Sequence, residues 1–374
     1  MKNTIKPLDR INWGRIVRAL KVFFIIFCSN YLLATGNGDS FYKKFSGKIG
    51  NSSIVLDLKL KSKTISGSYY YKKIGIPILI SGEINSDQSF VFSERDKNGN
   101  VTGTFKGKFV SDTSALGKWS DVKNNKSFDF TLSLMTKNIA AVFYELKRAE
   151  NCLAANKNKQ NFNNEMTTWD TSCTKVELDF IIVNTSNAEI SKRINKSIME
   201  TFCGKRDDGS FNTIDDLLKS VNDIGDDANA GFESAQSCDV SFNENNILCV
   251  DFSDYSYYFG AAHPNGLMTH LNFDLKSGKV ITLNDILVPN FKNALNQIGK
   301  KNLYKDYGSE GWDFPKGKFE LNNNFSIGSS GLTFQFNPYE IGPYSAGAPA
   351  VFISYSELKT LLKSDGLLKS YIKK

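Results

Sequence analysis

From residue 41 to residue 136 the chain alternates apolar and polar side chains in short runs, with glycine, asparagine or aspartate in most of the gaps. Ile54-Val-Leu-Asp-Leu-Lys-Leu60 is one such run, and Tyr69-Tyr-Tyr71, Ile76–Ile80, Phe90–Phe92, Thr104–Phe109 and Phe128–Leu134 follow it. Side chains along a strand point alternately to the two faces of a sheet, so a period of two buries one face and wets the other. Gaps as short as Asn85-Ser-Asp87 and Lys97-Asn-Gly99 favour antiparallel neighbours. The expected architecture is a meander closed as a small barrel or folded as a sandwich. Gly67, Gly103, Gly107 and Gly117 each stand two residues before an aromatic ring. In a curved sheet the glycine relieves bending while the ring fills the interior. A barrel filled by its own aromatics is the simpler expectation, and a hollow, ligand-holding barrel the other.

The pattern changes after residue 138. Ile139 to Glu150 reads as a strand running into a short helix, and Asn156 to Asn164 as a polar Asn/Lys-rich stretch, so a connector is expected over 139–166. Lys175–Val183 reads as a strand. Asn187 caps a helix whose Ile190, Ile194, Ile198 and Phe202 recur every four residues. Strands near 238–242, 247–252 and 269–275 follow, then a helix over 291–304. A Ser354/Glu357 capping box predicts a last helix over 355–371. The fold class expected is therefore α+β: an N-terminal all-β barrel or sandwich at 37–138 and a mixed α+β unit with antiparallel sheet at 167–374. Two halves, 167–254 and 255–374, make up the second unit.

Charge and cysteine narrow the setting. The chain of 374 residues carries +7, but residues 1–36 hold six Lys/Arg against one acid, which leaves the remainder close to neutral. Nucleic acid is not an expected partner. That basic start, the apolar run Val22–Cys28 and small residues at Ala34 and Gly36 have the three parts of a signal peptide, so 1–36 is expected to direct export. The mature protein is then periplasmic or secreted from a bacterium, touching membrane only through that segment if uncleaved. Cys152, Cys173, Cys203, Cys238 and Cys249 remain, and in an oxidising space disulfides are expected. Cys238 and Cys249 flank the turn-like Asn243-Glu-Asn-Asn246, which suggests a bridge across a hairpin. Residues 37–150 balance at +7 and residues 201–260 at −9. The acidic stretch, with Asp207, Asp208, Asp215, Asp216, Asp223, Asp226 and Asp227, reads as a solvated face or as one that steers a cationic partner. With only two histidines and no metal-binding spacing, no metal or cofactor is expected.

Four segments carry the clearest motifs: Tyr257-Tyr-Phe-Gly-Ala-Ala-His-Pro-Asn265, His270-Leu-Asn-Phe-Asp-Leu-Lys-Ser-Gly-Lys279, Thr282-Leu-Asn-Asp285 and Phe336-Asn-Pro-Tyr-Glu-Ile-Gly-Pro-Tyr-Ser-Ala-Gly347. Together they resemble the RsiV/PdaC-type extracytoplasmic C-terminal domain family over about 167–372. Ala261 stands where that family's turn has a second glycine. The resemblance implies one extracytoplasmic α+β unit that binds rather than catalyses, with a c-type lysozyme or a cell-wall component as its macromolecular ligand. The residues themselves suit that role. Pro338, Pro343 and Pro349 stiffen a loop carrying Tyr339 and Tyr344, and rigid aromatics gain contact area at low entropic cost. His263, Pro264, Asn265, Tyr339, Pro343 and Tyr344 are the expected partner-binding residues. Turn ordering is the plainer role for His263, and His270 is expected to be structural.

No Gly-x-Ser-x-Gly elbow, His-Glu-x-x-His helix or phosphate-binding glycine loop is present, and no catalytic residue is assigned. The alternative is a cell-wall-directed hydrolase or esterase using His263, with Asp251/Asp254 as a conceivable carboxylate pair. A third reading is an envelope protein whose barrel binds glycan or lipid.

Overall fold

The computed structural model describes residues 40–61, 64–96, 98–123, 125–152, 173–222 and 231–372. Residues 1–36, expected to direct export, the Asn/Lys-rich stretch, and Asp223, Asp226 and Asp227 lie outside them. Eight strands run in sequence order, each antiparallel to the next: β1 (Phe41–Ile49), β2 (Ser52–Lys61), β3 (Thr64–Tyr71), β4 (Ile78–Ile84), β5 (Ser89–Arg95), β6 (Val101–Ser111), β7 (Ser114–Asp121) and β8 (Ser127–Leu134). Pairing of Phe45–Ile49 with Phe130–Leu134 joins β1 to β8 and closes the barrel. Its interior is occupied by Phe45, Tyr69, Phe90, Phe92, Phe105 and Phe130. The glycine–aromatic spacing has a steric cause here. Gly107 and Gly117 face each other across β6 and β7, and a Cβ on either would come within 2.8 Å of the Phe130 ring. Two missing side chains make room for one large one.

The first residues of β1 stay paired with β2 but meet β9 (Ala141–Cys152) on their other edge, where β8 no longer reaches, and β9 carries the same sheet onward. β10 (Cys173–Asn184) lies antiparallel to β9 along its whole length. The first part of the expected 139–166 connector is therefore a core-sheet strand. Val142 and Tyr144 supply the buried positions that hold it there. Helices α1 (Ala188–Cys203) and α2 (Ile214–Lys219) then intervene. β11 (Phe232–Glu244) returns parallel to β10, and β12 (Ile247–Tyr258) and β13 (Asn265–Asp274) complete the sheet as antiparallel strands. Ile194, Ile198 and Phe202 of α1 are buried, and the Asn187 side chain accepts from the Glu189 and Ile190 amides. On the far side sit α3 (Leu283–Ile286), α4 (Lys292–Tyr307) and a small sheet of β14 (Phe325–Ile327), β15 (Gly331–Gln335) and β16 (Ala350–Ser354). The molecule is thus an eight-stranded barrel followed by a mixed α+β region. Among the described residues no helix is long and apolar enough to cross a membrane.

The predicted last helix is the largest local difference. The Ser354/Glu357 box forms, yet residues 355–368 run as turns and only α5 (Lys369–Ile372) is helical. Leu361 O accepts from the Val288 amide and the Lys363 amide donates to Ile286 O. Backbone groups that a helix would use are committed to the segment after α3 instead.

The charge asymmetry is partly internal. Lys44, only 1% exposed, bonds Asp57 of β2 and lies 3.7 Å from Glu244 of β11. Lys59 meets Asp239 at 2.8 Å, and Lys61 pairs with Asp179. The hydroxyls of Tyr70 and Tyr144 donate to Glu244 and Asp239. A basic barrel wall therefore docks against acids of the second region.

Cysteine pairing departs from the hairpin expectation. Cys152 and Cys173 are register partners on β9 and β10 and form a disulfide. Cys203, Cys238 and Cys249 are buried free thiols. Cys238 lies opposite Phe252 and Cys249 opposite Phe242, with a bulge between Val240 and Phe242. That register sends the two sulfurs into different cores, so they cannot bridge. Burial pushes the Cys238 thiol up to about 12 and Cys249 well above its ordinary value.

A candidate aromatic docking face

The β12–β13 hairpin ends in a turn at 259–264 that brings His263 to the surface. Gly260 takes the left-handed conformation there, φ +96°, and Ala261 does not. Loss of the second glycine is consequently tolerated without backbone strain. Pro264 and His263 are half-buried and Asn265 is exposed, starting β13 opposite Ser256.

The 336–347 loop lies against this turn. The Tyr344 ring stacks on His263 with centroids 3.8 Å apart and planes at 20°. Its hydroxyl donates to Pro264 O at 2.7 Å. His263 Nδ1 donates to the same carbonyl at 2.9 Å, and Nε2 stands 3.5 Å from the Tyr339 hydroxyl. Tyr339 and Tyr344 ring centroids are 5.7 Å apart. Pro343 is exposed beside Tyr344, and Asn265 stays at the turn's edge. Residues more than seventy positions apart in the chain thus meet in one cluster.

Tyr339 is 64% exposed and has φ +71°. The Glu340 amide donates to Asn337 O across it. A proline followed by a positive-φ residue inside an i to i+3 hydrogen bond marks a type II turn, whose third position ordinarily favours glycine. Holding tyrosine there costs about 1 kcal/mol or more. The ring is mostly solvent-facing, and its contacts with Tyr344 and His263 lie within the surface cluster itself.

Asparagines place the loop against the sheet. The Met268 amide donates to Asn337 Oδ1 at 2.7 Å, and the His270 amide to Asn324 Oδ1 at 2.8 Å. Asn324 Nδ2 returns a bond to Met268 O, and Asn272 bonds both Phe325 O and the Ile327 amide. Side-chain amides satisfy the outer edge of β13 much as another strand would. Sequence reading missed these asparagines, since their spacing has no period; the Asn322-Asn-Asn324 run was the available signal.

The other motif residues serve structure. His270 Nδ1 bonds Asp251 at 2.7 Å across β12 and β13. Asp251 and Asp254 lie three apart on one strand and so face opposite sides of the sheet, which removes them as a carboxylate pair. Asp285 accepts from the Thr282 hydroxyl and amide, and these bonds hold its carboxyl below the usual carboxylate range. In the acidic stretch, Asp208 accepts from Ser210, and Asp216 bonds Thr213 and Arg206. Those acids order turns and helix starts, leaving Asp207 and Asp215 exposed.

Two hollows border the sheet. One, about 160 Å³, lies under the end of α1 between Thr201, Gln236, Asp254 and Leu267. A wider groove of about 550 Å³ crosses β9–β12 between Arg148, Lys175, Glu177, Glu233 and Tyr255. Arg148 and Glu177, both exposed, pair along its lining.

Residues 284–356 match the model of a family described as a protein of unknown function (DUF3298). No curated protein matches the chain. Among solved structures it is similar to a member of the DUF3298 family from Bacteroides fragilis, at 18% identity and a TM-score of 0.49, covering 64% of this chain and 100% of that one. It is also similar to a DUF3298 family protein from Pseudomonas aeruginosa, at 18% identity and a TM-score of 0.42, covering 59% and 94%.

Proposed function

We propose that this protein is a non-catalytic exported binding protein whose docking face is formed by His263, Tyr339 and Tyr344, with Pro264, Asn265 and Pro343 as its frame. The observation that carries the reading is Tyr339. A solvent-facing aromatic in a left-handed turn position is a strained feature that folding alone does not call for. His263 is held within the docking face, since Nδ1 bonds Pro264 O and one ring face is covered by Tyr344. Export is supported by the Cys152–Cys173 disulfide, a bond that persists in oxidising compartments. A macromolecular ligand suits the exposed cluster, and the motif resemblance makes a c-type lysozyme or a cell-wall component the candidate.

The test is a calorimetric titration of c-type lysozyme into the protein at low and high salt. Saturable binding that weakens with salt and is lost on Tyr339→Ala supports the reading. A flat titration removes lysozyme as the ligand. Hydrolysis of a cell-wall substrate that disappears in a folded His263→Ala variant would replace the binder with an enzyme.

A further inference from the structure

We propose that one open rim of the barrel docks on an anionic membrane surface. Successive hairpins of an up-and-down barrel turn at alternate ends, so the β1–β2, β3–β4, β5–β6 and β7–β8 turns share one rim. The β3–β4 turn presents Ile74 and Ile76, each 62% exposed, next to exposed Lys72 and Lys73. On the β7–β8 turn Val122 is 56% exposed, and at the start of β8 Phe128, stacked on Trp119, is 46% exposed; Lys123 and Lys126 are exposed beside them. The same pairing of exposed apolar side chains with lysines therefore occurs at two separate points of one rim.

The turns are preformed. Ile74 and Gly75 amides both donate to Tyr71 O, and Ser329 donates to Gly75 O from the second region. Of the nearby acids, Asp129 pairs with Lys118 at 2.7 Å, while Asp96 and Asp121 keep their charge and accept from turn amides, those of Asn98 and Asn100 and that of Lys126. Lysines 72, 73, 123 and 126 make no ion pair among the described residues.

Charge and shape choose the occupant. Convex aliphatic side chains flanked by cations gain from insertion among acyl chains beside anionic headgroups, and a bilayer needs no groove to receive them. A protein partner would have to match turns on opposite sides of a barrel; a flat lipid surface meets them together. This surface is distinct from the His263–Tyr344 face and leaves that face free for a partner.

Co-sedimentation of the full chain with phosphatidylcholine vesicles, with and without phosphatidylglycerol, tests the proposal. Binding is expected only with the anionic lipid, falling roughly tenfold in the double variant Ile74→Ser/Ile76→Ser. It should fall roughly fivefold for each lysine neutralised among the four. Circular dichroism and thermal melting of the same variants report whether the barrel has stayed intact. Equal binding to neutral vesicles, no binding, or binding indifferent to both sets of substitutions in folded variants overturns it. Conversion of a dimer to a monomer by Ile74→Ser/Ile76→Ser, without vesicle association, would make the rim a self-interface and overturn it as well.

Discussion

Tyr339 separates stability from binding at a single position. Glycine at φ +71° carries no Cβ penalty, and the tyrosine ring lost is mostly exposed. Tyr339→Gly is therefore expected to raise stability by about 1 kcal/mol, read from urea unfolding, while weakening partner capture. Asp285 gives the pH signature at the same scale. Its carboxyl is depressed in the folded state by the Thr282 hydroxyl and amide, so an unfolded chain takes up the proton first as pH falls. The contribution is present above the ordinary aspartate value near ~4 and is lost as pH drops through the folded value. The melting difference between the native chain and Asp285→Asn should hold from neutral pH to about 5 and shrink below about 4. The Thr282-Leu-Asn-Asp285 box was legible because its chemistry is local. The left-handed Tyr339 was not, since proline before tyrosine leaves the sign of the next φ open.

At the scale of elements, the barrel strands and α1 followed directly from period and capping, which depend only on near neighbours. β9 did not: its alternation is interrupted by Glu145-Leu-Lys-Arg148, and its place is set by pairing with β10 across a disulfide. Cys238 and Cys249 were misread for a related reason, because one bulge in β11 changes which face each sulfur meets. The β13 edge rests on Asn272, which is buried and bonds two backbone groups of the small sheet. Asn272→Ala leaves both unsatisfied and should cost roughly 2–3 kcal/mol in chemical denaturation. An unchanged midpoint would mean that the small sheet does not depend on the asparagine contacts.

Across the whole molecule, the opposite charges of residues 37–150 and 201–260 are used in part to join the barrel to the second region. Lys44 is the centre of that junction, buried between Asp57 and Glu244. Lys44→Met strands two carboxylates and is expected to destabilise the protein by roughly 3 kcal/mol or more in urea titration, with Glu244→Gln in the same chain recovering part of the loss. Composition showed the imbalance, but only the fold could show that Asp179, Asp239 and Glu244 face the barrel. The docking-face proposal makes its strongest demand on the intact protein. Envelope extract passed over immobilised native chain and over Tyr339→Ala/Tyr344→Ala, with bound proteins quantified by mass spectrometry, measures it directly. At least one saturable partner should be retained by the native chain and depleted tenfold or more on the double variant. Identical partner profiles on the two folded baits would contradict the assignment of binding to this face.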